Sequence, residues 1–441
     1  MQPVRVGVLG LGTVGGGTVN VLARNAGEIE RRAGRAIRVV AGAARNIERA
    51  RSCSVEGLFL SSDPLEVVEH NDVDVVVETL GGVKLTLPVV LRAIELGKHV
   101  VTANKALIAL HGNEIFAAAQ ASGVMVAFEA AVAGGIPIIK AVREGLAGNR
   151  IDGVAGIING TANYILTEMR DKGRDFPDVL AEAQALGYAE ADPTFDIEGI
   201  DAAHKLCILA SIAFGIPLQF DRLHVEGIAS IAREDVAYAA EFGYRIKHLG
   251  IARRVAEGFE LRVHPTLIPE RRLIANVDGV MNAVLVHGDA VGPAMFYGAG
   301  AGADATASAV VADLVDVVRA MTTDPENRVP HLAFQPGLLS DAPIVPMSEV
   351  RTAYYLRLRA RDEPGVLADI ARILANYGVS VDALLQREAD DERREATLIV
   401  LTHRVREGAM DAACHDLLAL PSLVSPLQRI RVESLGRSVG D

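Results

Sequence analysis

Asp201 and Lys205 stand four residues apart, on one face of a segment that reads as a helix from Ile197 to Phe214, closed by Gly215 and Pro217. They end the run YAEADPTFDIEGIDAAHKL, which also carries Glu190, Asp192, Asp196 and Glu198. An exposed Asp–Lys pair on a helix contributes only about 0.3–0.5 kcal/mol. Here the surrounding residues, Ala202, Ala203, Leu206, Cys207, Ile208, Leu209 and Ala210, make the helix apolar nearly all round, so burial is expected. A buried ammonium needs partners, and the neighbouring acids can supply them. Only seven of the 44 basic residues are lysines. Arginine keeps its proton at working pH, whereas lysine can be tuned to release it, so a lysine retained in such a chain points to amine chemistry. The acids do not follow the alternating spacing of a calcium loop.

Around these residues the chain supplies a second set of chemical signals. The segment VRVGVLGLGTVGGGTVNVLA is a short apolar strand, a turn (Gly10, Gly12, Thr13, Val14, Gly15) and a helical pattern. This is the strand–GxGxxG–helix arrangement in which glycines admit a pyrophosphate to the helix N-terminus. The following strand, AIRVVAGAARN, ends without the acid that would accept ribose hydroxyls; Arg45 is there instead, which favours NADP over NAD. Further strands at DVDVVVETLGG, KHVVTANKALIA and GVMVAFEAAVAGGIPII alternate with helical patterns, the rhythm of a doubly wound parallel sheet. Thr79, Thr102, Asn104 and Lys105 lie at the carboxyl ends of those strands, where such sheets bind ligands.

Length and composition frame this reading. At 441 residues, half of them hydrophobic, the chain is expected to form two or three globular domains. A formal charge of -12 argues against nucleic acid or an anionic membrane as partner. The start carries no basic region followed by an apolar core, and no apolar run reaches membrane-spanning length, so a cytoplasmic protein is expected. Cys53, Cys207 and Cys414 are far apart and form no CxxC pair, as expected of reduced thiols.

The expected division is 1–130 for the dinucleotide-binding domain, completed by about 298–320, and 131–332 for an α+β catalytic and oligomerisation domain. Within it, NGTANYIL is a polar turn opening an amphipathic helix, and the Gly-rich loop around Gly300 and Gly302 is expected to return to the cofactor side. Residues 333–350, with three prolines, read as a linker. Residues 351–435 give strand–helix–strand twice, a compact βαββαβ unit whose lack of a catalytic set points to regulation.

GLGTVGGG, TANK, FEAAVAGGIPII, NGTANYIL, GYAEADPTFDIEGIDAAHKL and GAGAGADATASAVVADL, in this order, resemble the homoserine dehydrogenase family over almost the whole chain. The C-terminal unit resembles a ferredoxin-like ACT domain, and the first domain a Rossmann fold. The resemblance implies NAD(P)-dependent interconversion of L-aspartate 4-semialdehyde and L-homoserine, with threonine as the feedback effector and a homodimer or homotetramer as the assembly. It makes Lys205 the proton donor to the carbonyl oxygen and places Lys105 between cofactor and substrate. It assigns Glu190 to the substrate amino group, with Asp196 and Asp201 lining the pocket. It also implies a monovalent cation, sodium, held by backbone oxygens of Glu129, Val132, Gly134 and Ile136.

Two rivals follow from the same residues. An acyl-enzyme semialdehyde dehydrogenase needs a nucleophilic cysteine, and no cysteine lies at a strand-end turn. A catalytically inactive dinucleotide and amino-acid sensor needs no proton donor, so Lys205 with its acids counts against it.

Overall fold

The computed structural model describes residues 2–49, 51–387 and 394–436. Residues 388–393, inside the expected C-terminal unit, lie outside the described residues. The chain forms two compact units, each assembled from separated segments: 1–158, 201–221 and 281–342 in the first, 159–200, 222–280 and 343–441 in the second.

The first unit is built on a parallel six-stranded sheet of β1 (Val4–Leu9), β2 (Ile37–Ala43), β3 (Phe59–Ser61), β4 (Val75–Glu78), β5 (His99–Thr102) and β6 (Val126–Ala127). Their order is β3-β2-β1-β4-β5-β6, so the winding reverses between β1 and β4. Every residue of β4 and β5 is buried, as expected for strands covered on both faces. The helices Thr13–Arg24 and Ala303–Ala320 cover one side and share a core with β1 and β4 through Val19, Leu22, Val310, Leu314 and Val317. A Cβ on Gly17 would lie 2.7 Å from the Ala303 carbonyl oxygen, so that glycine permits the close approach of the two helices. The same unit holds the antiparallel set Ile151–Ile157, Met281–Gly288 and Gly292–Ala299.

The helix carrying Lys205 runs from Ile200 to Phe214, three residues shorter than the sequence pattern predicts. Thr194–Ile197 is a separate turn of helix, and Gly199, at φ +83°, breaks the two apart. Every residue from Asp201 to Phe214 is buried, in line with the all-round apolar pattern.

In the second unit the long hairpin Tyr244–Val255 and Gly258–Pro269 pairs through Gly258–Pro269 with Gln428–Val432. Gln428–Val432, Arg351–Arg361, Glu395–Thr402 and Val381–Gln386 follow in that order as an antiparallel sheet. With the helices Val366–Asn376 and Glu407–Leu418 they make the expected βαββαβ unit. Alternation along the strand decides its two faces. Tyr354, Leu356 and Leu358 pack beneath those two helices, while Tyr355 packs with Ile165, Val179 and Val236 of other helices of the unit. Part of the expected linker is also docked: Phe259 N–H donates to Pro343 O at 3.0 Å and Val345 N–H to Phe259 O at 2.8 Å. Among the described residues no helix is long and apolar enough to cross a membrane.

Candidate functional site

The glycine turn sits where β1 ends. Gly10 has φ +93°, and a Cβ there would lie 2.7 Å from Thr79 O. A Cβ on Gly15 would come within 2.0 Å of Gly10 O, so both glycines are demanded by the protein's own backbone. Gly12 is different: a Cβ there meets nothing within 4 Å. The room left at Gly12 lies at the exposed N-terminus of the Thr13–Arg24 helix, which has no side-chain cap, and so fits an external phosphate group. Thr79 Oγ1 donates to Leu9 O and Gly10 O at 2.9 and 2.7 Å, locking the turn to the end of β4. Val14 is half-buried, Arg45 is exposed just beyond β2, and Gly302 (φ +125°) is the N-cap of Ala303–Ala320. Thr102 is fully buried and its hydroxyl donates to Glu78 at 2.5 Å, so its side chain supports the strand ends.

Asp201, Lys105 and Lys205 are brought together within the first unit. Lys205 Nζ donates to Asp201 Oδ2 at 2.7 Å and to Ile158 O at 2.8 Å. Lys105 Nζ lies 2.9 Å from Asp201 Oδ1, so one carboxylate spans both ammonium groups. Lys105 is placed by the start of its helix, Lys105–Ala121, where Asn104 caps Leu107 N–H and donates to Gly82 O. Full burial pushes the Asp201 carboxyl upward, but the Lys205 and Lys105 charges overcome it and hold the group well below the usual carboxylate range. His204 beside them is pushed down to about 4 by burial, against the pull of Asp201.

In the second unit Asp196 accepts a hydrogen bond from Asn159 Nδ2 at 2.7 Å, while Asn159 Oδ1 caps Ala162 N–H. Glu190 is exposed. Asn159 escaped the sequence reading, which treated NGTAN only as a turn; an Asn at the N-cap position was the available signal.

Glu129, Val132, Gly134 and Ile136 lie in a tightly turned, buried segment of the first unit with Ala133 at φ +50°. The Glu129 side chain accepts Ile139 and Lys140 N–H at 2.9 and 2.8 Å, and its own N–H donates to Asp313 at 2.7 Å. Burial, with Glu129 nearby, pushes the Asp313 carboxyl up to about 7. Among the described residues no group of three or more His, Cys, Asp or Glu side chains could hold a metal ion. Two buried acids were missed from the sequence: Asp313, and Glu78, which accepts Leu80 and Gly81 N–H at the end of β4. Nothing in their local pattern distinguishes them from ordinary strand and helix positions.

Comparison with known proteins identifies the family. Residues 137–315 match the family model described as homoserine dehydrogenase, and residues 10–129 the homoserine dehydrogenase NAD binding domain. Residues 354–413 match the ACT domain. The homoserine dehydrogenase of Pseudomonas aeruginosa is 64% identical over 435 residues, covering 99% of this chain and 100% of that protein. That of Neisseria gonorrhoeae is 56% identical, again over 99% of this chain and 100% of the relative. The crystal structure of a homoserine dehydrogenase from Thiobacillus denitrificans superposes with a TM-score of 0.95 at 65% identity, covering 99% of each chain. The chain therefore belongs to the homoserine dehydrogenase family, NAD(P)-binding oxidoreductases that act on a CH–OH group.

Proposed function

We propose that this enzyme interconverts L-aspartate 4-semialdehyde and L-homoserine with Lys205 as the proton-transfer group, in the biosynthesis of threonine, methionine and isoleucine. The observation that carries the assignment is the buried bridge in which one carboxylate, Asp201, fixes both Lys205 and Lys105. Gly10, Gly12, Thr13, Val14, Gly15, Thr79 and the Gly302 loop are the residues that would hold the dinucleotide, and Arg45 favours NADP. When bound, the nicotinamide supplies or accepts the hydride. Lys205 Nζ stabilises the negative charge developing on the carbonyl oxygen and passes its proton to that oxygen. In the reverse direction it receives the hydroxyl proton of homoserine. Lys105 steadies the same region of charge, and Asp201 holds the two amines in place. Glu190 is assigned to the substrate's ammonium group, with Asp196 and Asp201 lining the pocket.

The finer assignments rest on the resemblance. Backbone oxygens of Glu129, Val132, Gly134 and Ile136 would hold the sodium ion; the support is the buried, tightly turned main chain there. The ACT domain mediates feedback by threonine, and the assembly is a homodimer or homotetramer in the cytoplasm. The test is initial-rate turnover of homoserine with NADP and NAD in parallel, with and without threonine, for the wild type and Lys205→Ala. Lys205→Ala is expected to lose about 10²–10⁴-fold in kcat, the usual contribution of a positioned acid–base group, while NADP binding is retained. Near-normal turnover in that variant overturns the role given to Lys205.

A further inference from the structure

Glu78, the last residue of β4, is a fully buried carboxylate that makes no ion pair among the described residues. Its Oε1 accepts Leu80 N–H at 2.7 Å and Gly81 N–H at 3.3 Å, and its Oε2 accepts the Thr102 hydroxyl at 2.5 Å. All three donors are neutral, and burial pushes the carboxyl pKa up against them. An unpaired acid is costly in the interior, so it persists where its acceptor geometry is required. It stands at the carboxyl end of a strand beside the point where the winding reverses, the place where such sheets bind ligands. No step of the chemistry described so far uses it.

The carboxylate joins two arms of the strand ends. One arm is the loop after β4. Gly81 and Gly82 are exposed and left-handed, at φ +74° and +70°, and a Cβ on either would meet nothing within 4 Å. Polar contacts rather than crowding therefore fix this loop. Its N–H groups go to Glu78, Gly82 O accepts Asn104 Nδ2 at 2.6 Å, and Thr86 Oγ1 lies 3.1 Å from both Gly81 O and Gly82 O. The other arm leads to Lys105. Thr102 Oγ1, having donated to Glu78, accepts Asn104 N–H at 3.0 Å. Asn104 in turn caps the Lys105–Ala121 helix by accepting Leu107 N–H at 3.1 Å. A hydroxyl carries one proton, so an acceptor at position 78 sets the direction of this relay and leaves the Thr102 lone pairs to Asn104.

We propose that Glu78 is a positioning residue for the reaction, which through Thr102 and Asn104 sets the start of the Lys105 helix and so holds Lys105 Nζ at Asp201. The inference rests on the role given to Lys105 above. Lys105 Nζ lies 2.9 Å from Asp201 Oδ1, yet its side chain is 35% exposed, so packing alone does not fix it. The same carboxylate holds the loop that follows Thr79, whose hydroxyl locks the glycine turn, so that turn and Lys105 share one reference point. Glutamine at position 78 has the same shape but puts an amide donor on one side of the frame. Facing Thr102, that amide competes with Asn104 for the same oxygen; facing the loop, it leaves Leu80 and Gly81 N–H without an acceptor. Glu78→Gln also removes the unpaired buried charge, so it disturbs geometry more than stability.

The experiment compares Glu78→Gln, Thr102→Val, Thr102→Ser and Lys105→Met in the full chain. The readouts are homoserine turnover, melting temperature, NADPH binding by fluorescence, and acetic anhydride labelling of Lys105 followed by mass spectrometry without cofactor. Glu78→Gln and Thr102→Val are each expected to lose about 10–100-fold in kcat, the cost of a displacement on the order of 1 Å. Both should melt close to the wild type, still bind NADPH and label faster at Lys105. Thr102→Ser, which keeps the hydroxyl, should recover most of what Thr102→Val loses. The double variant Glu78→Gln, Thr102→Val should lose no more than the larger single loss, because both changes break one relay. Losses that multiply in the double variant overturn the relay. Full turnover in Glu78→Gln beside an impaired Lys105→Met overturns this inference and leaves the role of Lys105 standing. So does a kcat loss that comes with partial unfolding at the assay temperature, or with Lys105 labelling at the wild-type rate, since Glu78 would then be structural only. Near-normal turnover in Lys105→Met overturns the role of Lys105 and this inference together.

Discussion

Replacing Asp201 by Asn removes one charge and almost no volume, yet it leaves two ammonium groups facing a neutral amide. The Asp201 side chain is 5% exposed and the Lys205 side chain 11%, so that arm of the bridge is a buried ion pair; Lys105 is 35% exposed and counts for less. Stranding a buried charge costs about 3–5 kcal/mol, whereas a more exposed partner contributes no more than about 1 kcal/mol. Asp201→Asn is therefore expected to lose about 3–5 kcal/mol, and Lys105→Met no more than about 1 kcal/mol. The double variant Asp201→Asn, Lys205→Met should lose less than Asp201→Asn alone, because neutral groups replace the whole pair. The assay is urea unfolding followed by circular dichroism, read on the transition of the first unit. The sign with pH is fixed as well. Asp201 titrates below its unfolded value of about 3.9, so its contribution is complete above that pH and disappears as pH falls further. The gap between wild type and Asp201→Asn should close only below about pH 4. A loss under about 1 kcal/mol, or a double variant that loses the sum of both changes, refutes the argument.

Other expectations concern different parts of the molecule. Gly15→Ala drives a Cβ to 2.0 Å from Gly10 O and should lower the melting temperature sharply; Gly12→Ala, with nothing within 4 Å, should melt like the wild type while binding NADP more weakly in a fluorescence titration. His99, His204 and His331 of the first unit are each pushed down to about 4, chiefly by burial, from an ordinary value of 6.5. The unfolded chain takes up these protons first, so the melting temperature should fall as pH drops from about 6.5 to about 4, and substituting His204 by Gln should flatten that decline. Deleting residues 351–441 should not yield a stable remainder, because it strips Tyr355 and Arg357 from Asp235 and Gln428–Val432 from the long hairpin. Wild-type melting and elution on size exclusion by the truncated chain would contradict that.

That last expectation marks where local pattern and tertiary packing part company. The two βαβ halves at the C-terminus were legible from alternation and turn residues alone. The sequence also suggested a linker ahead of this unit. Strand alternation cannot tell which neighbour each face will meet. Here one face of Arg351–Arg361 closes its own small core, and the other completes the core of helices drawn from residues 160–241. The break at Gly199 is a similar case. The apolar pattern runs through it, and only the left-handed backbone at φ +83° separates the two helices.

The sequence by itself determined the glycine turn, the alternation that demands a parallel sheet, the buried helix and the choice of lysine at 205. These depend on spacing of residue types and on the periods of helix and strand, which are local. Tertiary structure decided that Asp201 spans two lysines rather than pairing with one, and that Asn159 engages Asp196. It also buried Glu78 and Asp313. Each of these joins residues far apart in the chain, at distances set by packing of whole elements, and no local pattern carries that information.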